Sequence, residues 1–314
     1  MSSETIKDII EVPGEVKEAA SDGTLIFFIG AGVSRITGLP GWYQWAQNIL
    51  EQLQDKGAVS YAEIEQLKTL DPRKQLSIAK IIAKRKSLSL DFTESLKQKS
   101  DHKIYEFINN IGCACITTNY DKLLKDVVTK NSHLYSNSGK NEAIQYKNQR
   151  LFEKKNLLEA NLRRPGNIIH LHGCIDDGDN MIITTSDYLA HYDDEVVKEF
   201  LTNLFGKYTV VFIGYGLEEI DILEYILKKG QTKKEHIKKR FYLEGFFSYQ
   251  QMLYDNLRGY YEESFGVYLK GFKRDKNDFN QLTETLKKWS IEIRVDPPAL
   301  IDDLSFIDEV LSNG

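Results

Sequence analysis

Short unbroken runs of apolar, mostly β-branched or aromatic residues recur along the chain: LIFFIG (25–30), ACITT (114–118), NIIHLHG (167–173), MIITT (181–185), TVVFIG (209–214), RFYLE (240–244), GVYLKGF (266–272) and IEIRV (291–295). Runs of this length without polar alternation predict strands buried on both faces. Between them the apolar positions change to a period of three to four. That spacing predicts helices over 42–56, over two or three stretches within 61–99, over 121–128, 195–205, 215–227, 248–263 and 277–289. At the N-terminus Ile6, Ile9, Ile10, Val16, Ala19 and Ala20 keep roughly helical spacing, and Pro13 marks either a break or a helix start. Residues 131–145 are polar and rich in Asn, Ser and Gly, which predicts a loop.

Buried strands alternating with helices imply an α/β fold, Rossmann-like, with a mostly parallel sheet and helices on both faces. The whole chain, 1–314, reads as one domain, and 43–110 reads as a helical insertion or lid between the first two sheet strands. Neither an internal repeat nor a low-complexity tract interrupts it. The formal net charge of −5 excludes a global basic field for nucleic acid. Three cysteines, none in a C-x-x-C pair, fit buried free thiols in a reducing cytosol better than a disulfide framework or a structural zinc site. The acidic start MSSETIKDII is unlike a secretory signal, and no apolar run is long enough to span a bilayer.

Four constellations stand at the C-terminal ends of predicted strands, where open α/β sheets gather their ligand-binding groups. The first is Gly30–Ala31–Gly32–Val33–Ser34. Its glycines permit close approach of backbone to a phosphate, although it is neither a full G-x-G-x-x-G nor a Walker loop with its Lys. A plain strand–helix turn is the rival reading. The second is Thr117–Thr118–Asn119–Tyr120–Asp121. Asn119 can orient a ribose hydroxyl or a water, while Asp121 can also simply cap the next helix. The third is His170–Leu171–His172–Gly173, in which alternation puts both histidines on one face. His172, beside a glycine at the strand end, is the candidate general base, and His170, one step further in, the structural one. The fourth is Gly214–Tyr215–Gly216, with Asp221 beyond. It is either a second close-approach turn or a tight turn with Tyr215 packed over it.

Taken in this order, FFIGAGVS, ITTNYDKLL, HLHG and VFIGYGLEEIDI resemble the sirtuin-like NAD-consuming domains, in particular the bacterial defence-associated (anti-phage) branch, over roughly residues 20 to 295. That resemblance implies an NAD+ hydrolase that releases nicotinamide and ADP-ribose, with NAD+ as substrate and no metal. Gly30, Ala31, Gly32 and Ser34 would contact the pyrophosphate and the nicotinamide-side ribose. Asn119, after Thr118, would position the ribose and attacking water; Asp121 would shape the nicotinamide pocket; His172 would act as base; and Gly214, Tyr215 and Gly216 would line the adenosine half. Two departures favour hydrolysis over deacylation. Leu39–Pro40–Gly41–Trp42 stands where deacylating sirtuins carry Pro-Asp-Phe-Arg, and the four-cysteine zinc module is missing.

The resemblance further implies a cytoplasmic effector that depletes NAD during phage infection. Such an activity must be gated, by homo-oligomerisation, by a C-terminal sensor region or by a partner such as an ATPase or an Argonaute-like protein. Two rivals keep the same motifs: a non-catalytic NAD or ADP-ribose sensor, and an NAD-dependent protein deacylase. A basic run, Lys228, Lys229, Lys233, Lys234, Lys238, Lys239 and Arg240, is a possible partner surface, with direct nucleic-acid readout not expected.

Overall fold

The computed structural model describes residues 5–97, 100, 102–124, 129–130, 145–146, 150–215, 239–293 and 295. Its centre is a seven-stranded sheet of β1 (Leu25–Ile29), β2 (Ala114–Thr117), β5 (Arg150–Leu151), β6 (Ile168–His170), β7 (Thr209–Ile213), β8 (Arg240–Phe246) and β9 (Tyr268–Lys273). The order is β5-β6-β2-β1-β7-β8-β9, and every pairing is parallel. The short pair β3 (Thr129–Lys130) and β4 (Gln145–Tyr146) runs antiparallel, apart from this sheet. From β1 the chain moves to one side, to β2, and later returns to the other side as β7. The C-terminal end of β1 is therefore the switch point at which an open α/β sheet leaves a crevice.

All five residues of β1 are buried because both sheet faces are covered. Ile26 and Phe28 point into one core with Ile116, Ile169, Val210 and Phe212, closed by Phe200, Leu201, Leu204 and Phe205 of α9 (Glu195–Lys207). Leu25, Phe27 and Ile29 point the other way. They meet α1 (Gly14–Ser21), Ile104 and Ile108 of α6 (Ile104–Ile111), and Leu282, Leu286 and Trp289 of α11 (Gln281–Glu292). α10 (Gln251–Phe265) contributes Tyr254 and Phe265 to the first core.

Between β1 and α6 lie α2 (Ala31–Ile36) and three helices that build a core of their own: α3 (Trp42–Asp55), α4 (Tyr61–Leu67) and α5 (Pro72–Arg85). Each of the last two starts with a side-chain cap: Ser60 with Glu63 in a reciprocal capping box, and Asp71 on the amides of Arg73 and Lys74, ahead of Pro72. Trp45, Ile49, Leu50 and Leu53 of α3 pack against Ile64 and Leu76, and this small core continues onto Tyr120, Met181 and Ile183. The compact lobe is thus α3 to α5, whereas α6 belongs beneath the sheet.

Several expectations are corrected. Met181–Ile183 is extended but joins no ladder: Ile182 N–H donates to His172 O (2.9 Å), and Ile182 O accepts from the Tyr120 hydroxyl (2.6 Å). Ile291 and Glu292 finish α11 rather than start a strand, because Trp289 and Ile293 are both buried at a helical four-residue spacing. Asp121–Leu124 is not helical; Asp121 Oδ1 takes the Leu123 amide (3.0 Å) in a local turn that competes with helix. Pro13 precedes α1 as a helix start, and Lys7 bridges to Phe272 at the edge of β9. Residues 125–128 of the expected 121–128 helix, 216–227 of the 215–227 helix, and 131–144 of the loop lie outside the described residues.

Candidate functional site

The two glycine turns at the ends of β1 and β7 grip each other. Gly30 N–H donates to Ile213 O (3.0 Å) and Gly32 N–H to Gly214 O (2.7 Å). A Cβ on Gly30 would stand 2.4 Å from Tyr215 Cα, and one on Gly214, at φ +58°, would stand 2.5 Å from Val33 N. These glycines are required for backbone-to-backbone contact, which is a different reason from the approach of a phosphate expected from their pattern. Tyr215 is buried, its ring against Phe28 (5.0 Å) and Phe212 (5.8 Å). Gly216 and Asp221 lie outside the described residues.

At the end of β2, adjacent to β1, the side chains of Asn119 and Asp121 turn inward to Ser34 on α2. Asn119 Nδ2 donates to Gly30 O (3.0 Å) and to Ser34 Oγ (2.8 Å). Ser34 Oγ donates to Asp121 Oδ2 (2.7 Å) and lies 2.9 Å from the Tyr105 hydroxyl of α6. The proton count fixes the direction of each bond. Ser34 has one hydrogen, which goes to the carboxylate, so its two lone pairs take Asn119 and Tyr105. Gly30 O can only accept, so the amide nitrogen of Asn119 must face it and Oδ1 must face away. Among the described residues Oδ1 meets no hydrogen-bond donor. It is the acceptor this network presents to its surroundings. Burial raises the Asp121 carboxyl above its ordinary range, and the Ser34 hydrogen bond works against that rise.

Asn119 opens onto a pocket lined by Ala31, Ser34, Thr118 and Asp121 on its polar side and by Leu39, Pro40, Trp42, Trp45, Leu96 and Tyr120 on its apolar side, about 380 Å3 with open solvent included. Trp42, Trp45 and Tyr120 form an aromatic wall: Trp42 lies 5.4 Å from Trp45, edge to face, and Trp45 lies 5.2 Å from Tyr120. Trp45 Nε1 donates to Phe92 O (3.0 Å), which anchors the wall to the lobe. The pocket therefore lies between the sheet's switch point and the helical lobe.

The two histidines of β6 have different surroundings. His170 Nδ1 donates to Asn119 O (2.8 Å), and its Nε2 accepts from Arg150 (3.0 Å). Burial first, then the Arg150 charge, holds His170 at about 4. It braces the Asn119 backbone and is structural. His172 is fully buried and does not line the pocket. Its Nε2 is 2.8 Å from the Tyr192 hydroxyl and its Nδ1 3.2 Å from the Tyr188 hydroxyl, both on α8 (Thr185–Asp193). Burial, then His191 and Arg73, holds it well below its ordinary value, so it is neutral.

Residues 114–245 match the family described as the SIR2-like domain. The chain is similar to that family over this stretch. Over 248 residues it is 26% identical to defense-associated sirtuin 2 of Bacillus subtilis, an alignment covering 75% of this chain and 22% of that protein. The chain thus spans well under two thirds of the length of this curated relative. The SIR2-like match takes in Asn119, Asp121, His172 and Gly214 but begins after Gly30–Ser34.

Of the anticipated site residues, Ala31, Ser34, Thr118, Asn119 and Asp121 meet at one pocket, and Gly30 supports it through its carbonyl. Gly32, Gly214 and Tyr215 lie behind it as packing. Arg240, at the end of the basic run, is buried, its guanidinium on Phe205 O (3.1 Å). The rest of that run except Lys239 lies outside the described residues. All three cysteines are buried and free. Among the described residues no group of three His, Cys, Asp or Glu could hold a metal ion, and no helix is long and apolar enough to cross a membrane. Sequence reasoning missed Tyr105, Tyr188 and Tyr192. Tyr105 carries no motif. The tyrosine pair is four residues apart on a helix, a spacing that puts both on one face and was the available signal.

Proposed function

We propose that this chain is an NAD+ glycohydrolase that releases nicotinamide and ADP-ribose, with the pocket between β2 and the lobe as the site of cleavage. The observation that carries the reading is Asn119 Oδ1, turned outward by three fixed hydrogen bonds into a pocket with one polar side and one aromatic wall. A flat amide-bearing ring suits the aromatic wall, and a ribose hydroxyl or a water suits Oδ1 as its donor. On cleavage the nicotinamide leaves with the bonding electron pair, which neutralises its ring charge, and water adds to the ribose carbon. Asn119 aligns the reacting groups, an effect worth up to about 7–11 kcal/mol where orientation is good. His172 does not line the pocket in this conformation; once a rearrangement exposes it there, its imidazole lone pair is the base for a ribose hydroxyl, a further gain of roughly 10²–10⁴. The lobe, within the 43–110 insertion, acts as the lid. The similarity to a protein named as a defense-associated sirtuin supports a role in anti-phage defence, as a cytoplasmic effector whose activity is gated by self-association, by a further sensor region or by a partner protein.

The second reading is a non-catalytic NAD or ADP-ribose sensor, and the observation in its favour is the burial of His172. Incubation of the purified chain with NAD+, followed by chromatography of nicotinamide and ADP-ribose, separates the two. Turnover abolished by both Asn119→Ala and His172→Ala supports the hydrolase. NAD binding that Asn119→Ala weakens, with no turnover under any condition, supports the sensor. Absence of both binding and turnover overturns both.

A further inference from the structure

A neutral imidazole has one N–H and one lone pair. In His172 both positions are taken by tyrosine hydroxyls of α8, Tyr192 at Nε2 and Tyr188 at Nδ1. Whichever tautomer is present, the basic lone pair already accepts a phenolic proton. The imidazole ring is also enclosed: Tyr188 lies 4.8 Å away, Tyr192 5.8 Å and His191 5.8 Å, all edge to face. In this conformation His172 cannot accept a proton from a substrate.

The element that closes it is tied to the lobe. Arg73 of α5 lies 3.8 Å over the Tyr188 ring. One turn on, Ser77 Oγ accepts from the Thr185 amide (2.9 Å), and after that Lys80 reaches Asp187 (3.3 Å). Asp187 in turn completes the capping box at the start of α8. Three successive positions on one face of α5 therefore hold the first turn of α8, whose own face holds His172. Lys80 and Thr185 are exposed, so this seam is accessible from solvent.

We propose that α8 is a latch: its tyrosines mask the base of the proposed hydrolase, and the α5 seam keeps the latch shut until displacement of the lobe withdraws α8. This rests on the reading of His172 as the base. It supplies the gate such an activity requires from within the described fold.

The test uses the full chain and reads His172 directly, without relying on catalysis. Diethyl pyrocarbonate acylates accessible neutral imidazoles, and mass spectrometry reports each site, with the partly exposed His102 as reference within the same sample. His172 should react at least tenfold more slowly than His102 in the parent. The double variant Ser77→Ala/Lys80→Ala, which alters the seam and leaves the Arg73 charge near His172 in place, should raise its rate at least tenfold. Conservative removal of one hydroxyl, Tyr192→Phe, should do the same and raise nicotinamide release several-fold where turnover is present. Equal labelling of His172 and His102 in the parent, or no rise in the seam variant, overturns the latch. A fall in nicotinamide release in Tyr192→Phe also overturns it, because Tyr192 is then a proton relay. If labelling rises as expected while no variant cleaves NAD+, the latch stands and the hydrolase reading fails. If the parent cleaves NAD+ through a freely labelled His172, the hydrolase stands and the latch fails.

Discussion

Two neighbouring strand ends, β2 and β6, carry polar residues of the same apparent kind, yet one is open and the other sealed. At the end of β2, Asn119 spends both amide hydrogens on the protein and leaves its oxygen to the pocket. At the end of β6, His172 spends both nitrogens on α8 and leaves nothing. Both side chains are buried and both stand at the rim predicted by sheet topology. Position at a strand's C-terminal end therefore decides which crevice a residue faces. Whether it can act there is decided by the side chains that the next helix brings back over it.

The largest disturbance of the comparison is one that damages both ends together. Gly214→Ala places a Cβ 2.5 Å from Val33 N at a left-handed backbone angle, where backbone rather than a side-chain tip must yield. The left-handed penalty and the overpacking together cost about 2–5 kcal/mol. Denaturant titration should show that loss, and pocket binding should go with it. Next is Asn119→Ala. It leaves one buried lone pair of Ser34 without its donor and Gly30 O with the Val33 amide alone (3.1 Å), costing roughly 1–3 kcal/mol of stability. It also removes the outward acceptor, and nicotinamide release should fall by about 10²–10³. Loss of stability without loss of turnover would sink the assigned role of Oδ1.

Acid separates the two ends by a different route. His170 and His191 are held at about 4, by burial first and then by Arg150 and Lys154 respectively, against an ordinary value of 6.5. His172 is shifted in the same direction, by burial first and then by His191 and Arg73. Between these values the unfolded chain binds protons that the folded chain refuses, so stability rises with pH across that window and is lost as pH falls from about 6.5 toward 4. One such histidine accounts for roughly 3 kcal/mol at about 1.4 kcal/mol per unit. Asp121 has the opposite sign: its raised carboxyl favours the folded state below its ordinary range, and that contribution fades as pH rises. The decline below about 6.5 follows from His170 and His191. Chemical denaturation at a series of pH values should show the decline, with a shallower slope in His191→Gln.

Much of this was legible from residue pattern. The strands are short apolar runs because both faces are covered, and four motifs fall at strand ends because the parallel sheet puts them there. The glycines were legible as points of close approach, but not what approaches. Gly30 and Gly32 meet Gly214 and Tyr215, a contact between turns some 180 residues apart that no local pattern encodes. His172 was legible as a strand-end histidine. Its burial was not, since it depends on Tyr188 and Tyr192 folding back from a later helix. IEIRV alternates like a strand but comes just after Trp289, and a buried helical face prevails over local β-propensity there.

The smallest predicted effect tests the proton order behind the open end. If Tyr105 donates to Ser34, and Ser34 to Asp121, Tyr105→Phe leaves one buried lone pair of Ser34 empty and costs about 1 kcal/mol. Ser34→Ala costs more, roughly 1–3 kcal/mol, because Asn119, Asp121 and Tyr105 each lose a partner at once. The two losses must not add. Once Ser34 is alanine, the Tyr105 hydroxyl has already lost this acceptor, so the double variant should be about as stable as Ser34→Ala alone, with a coupling near 1 kcal/mol in a double-mutant cycle. Additive losses would mean that Tyr105 does not donate to Ser34. The Ser34 hydrogen would then serve Tyr105 in place of Asp121, while Asn119 would keep both of its acceptors, Gly30 O and Ser34 Oγ, and with them its orientation toward the pocket.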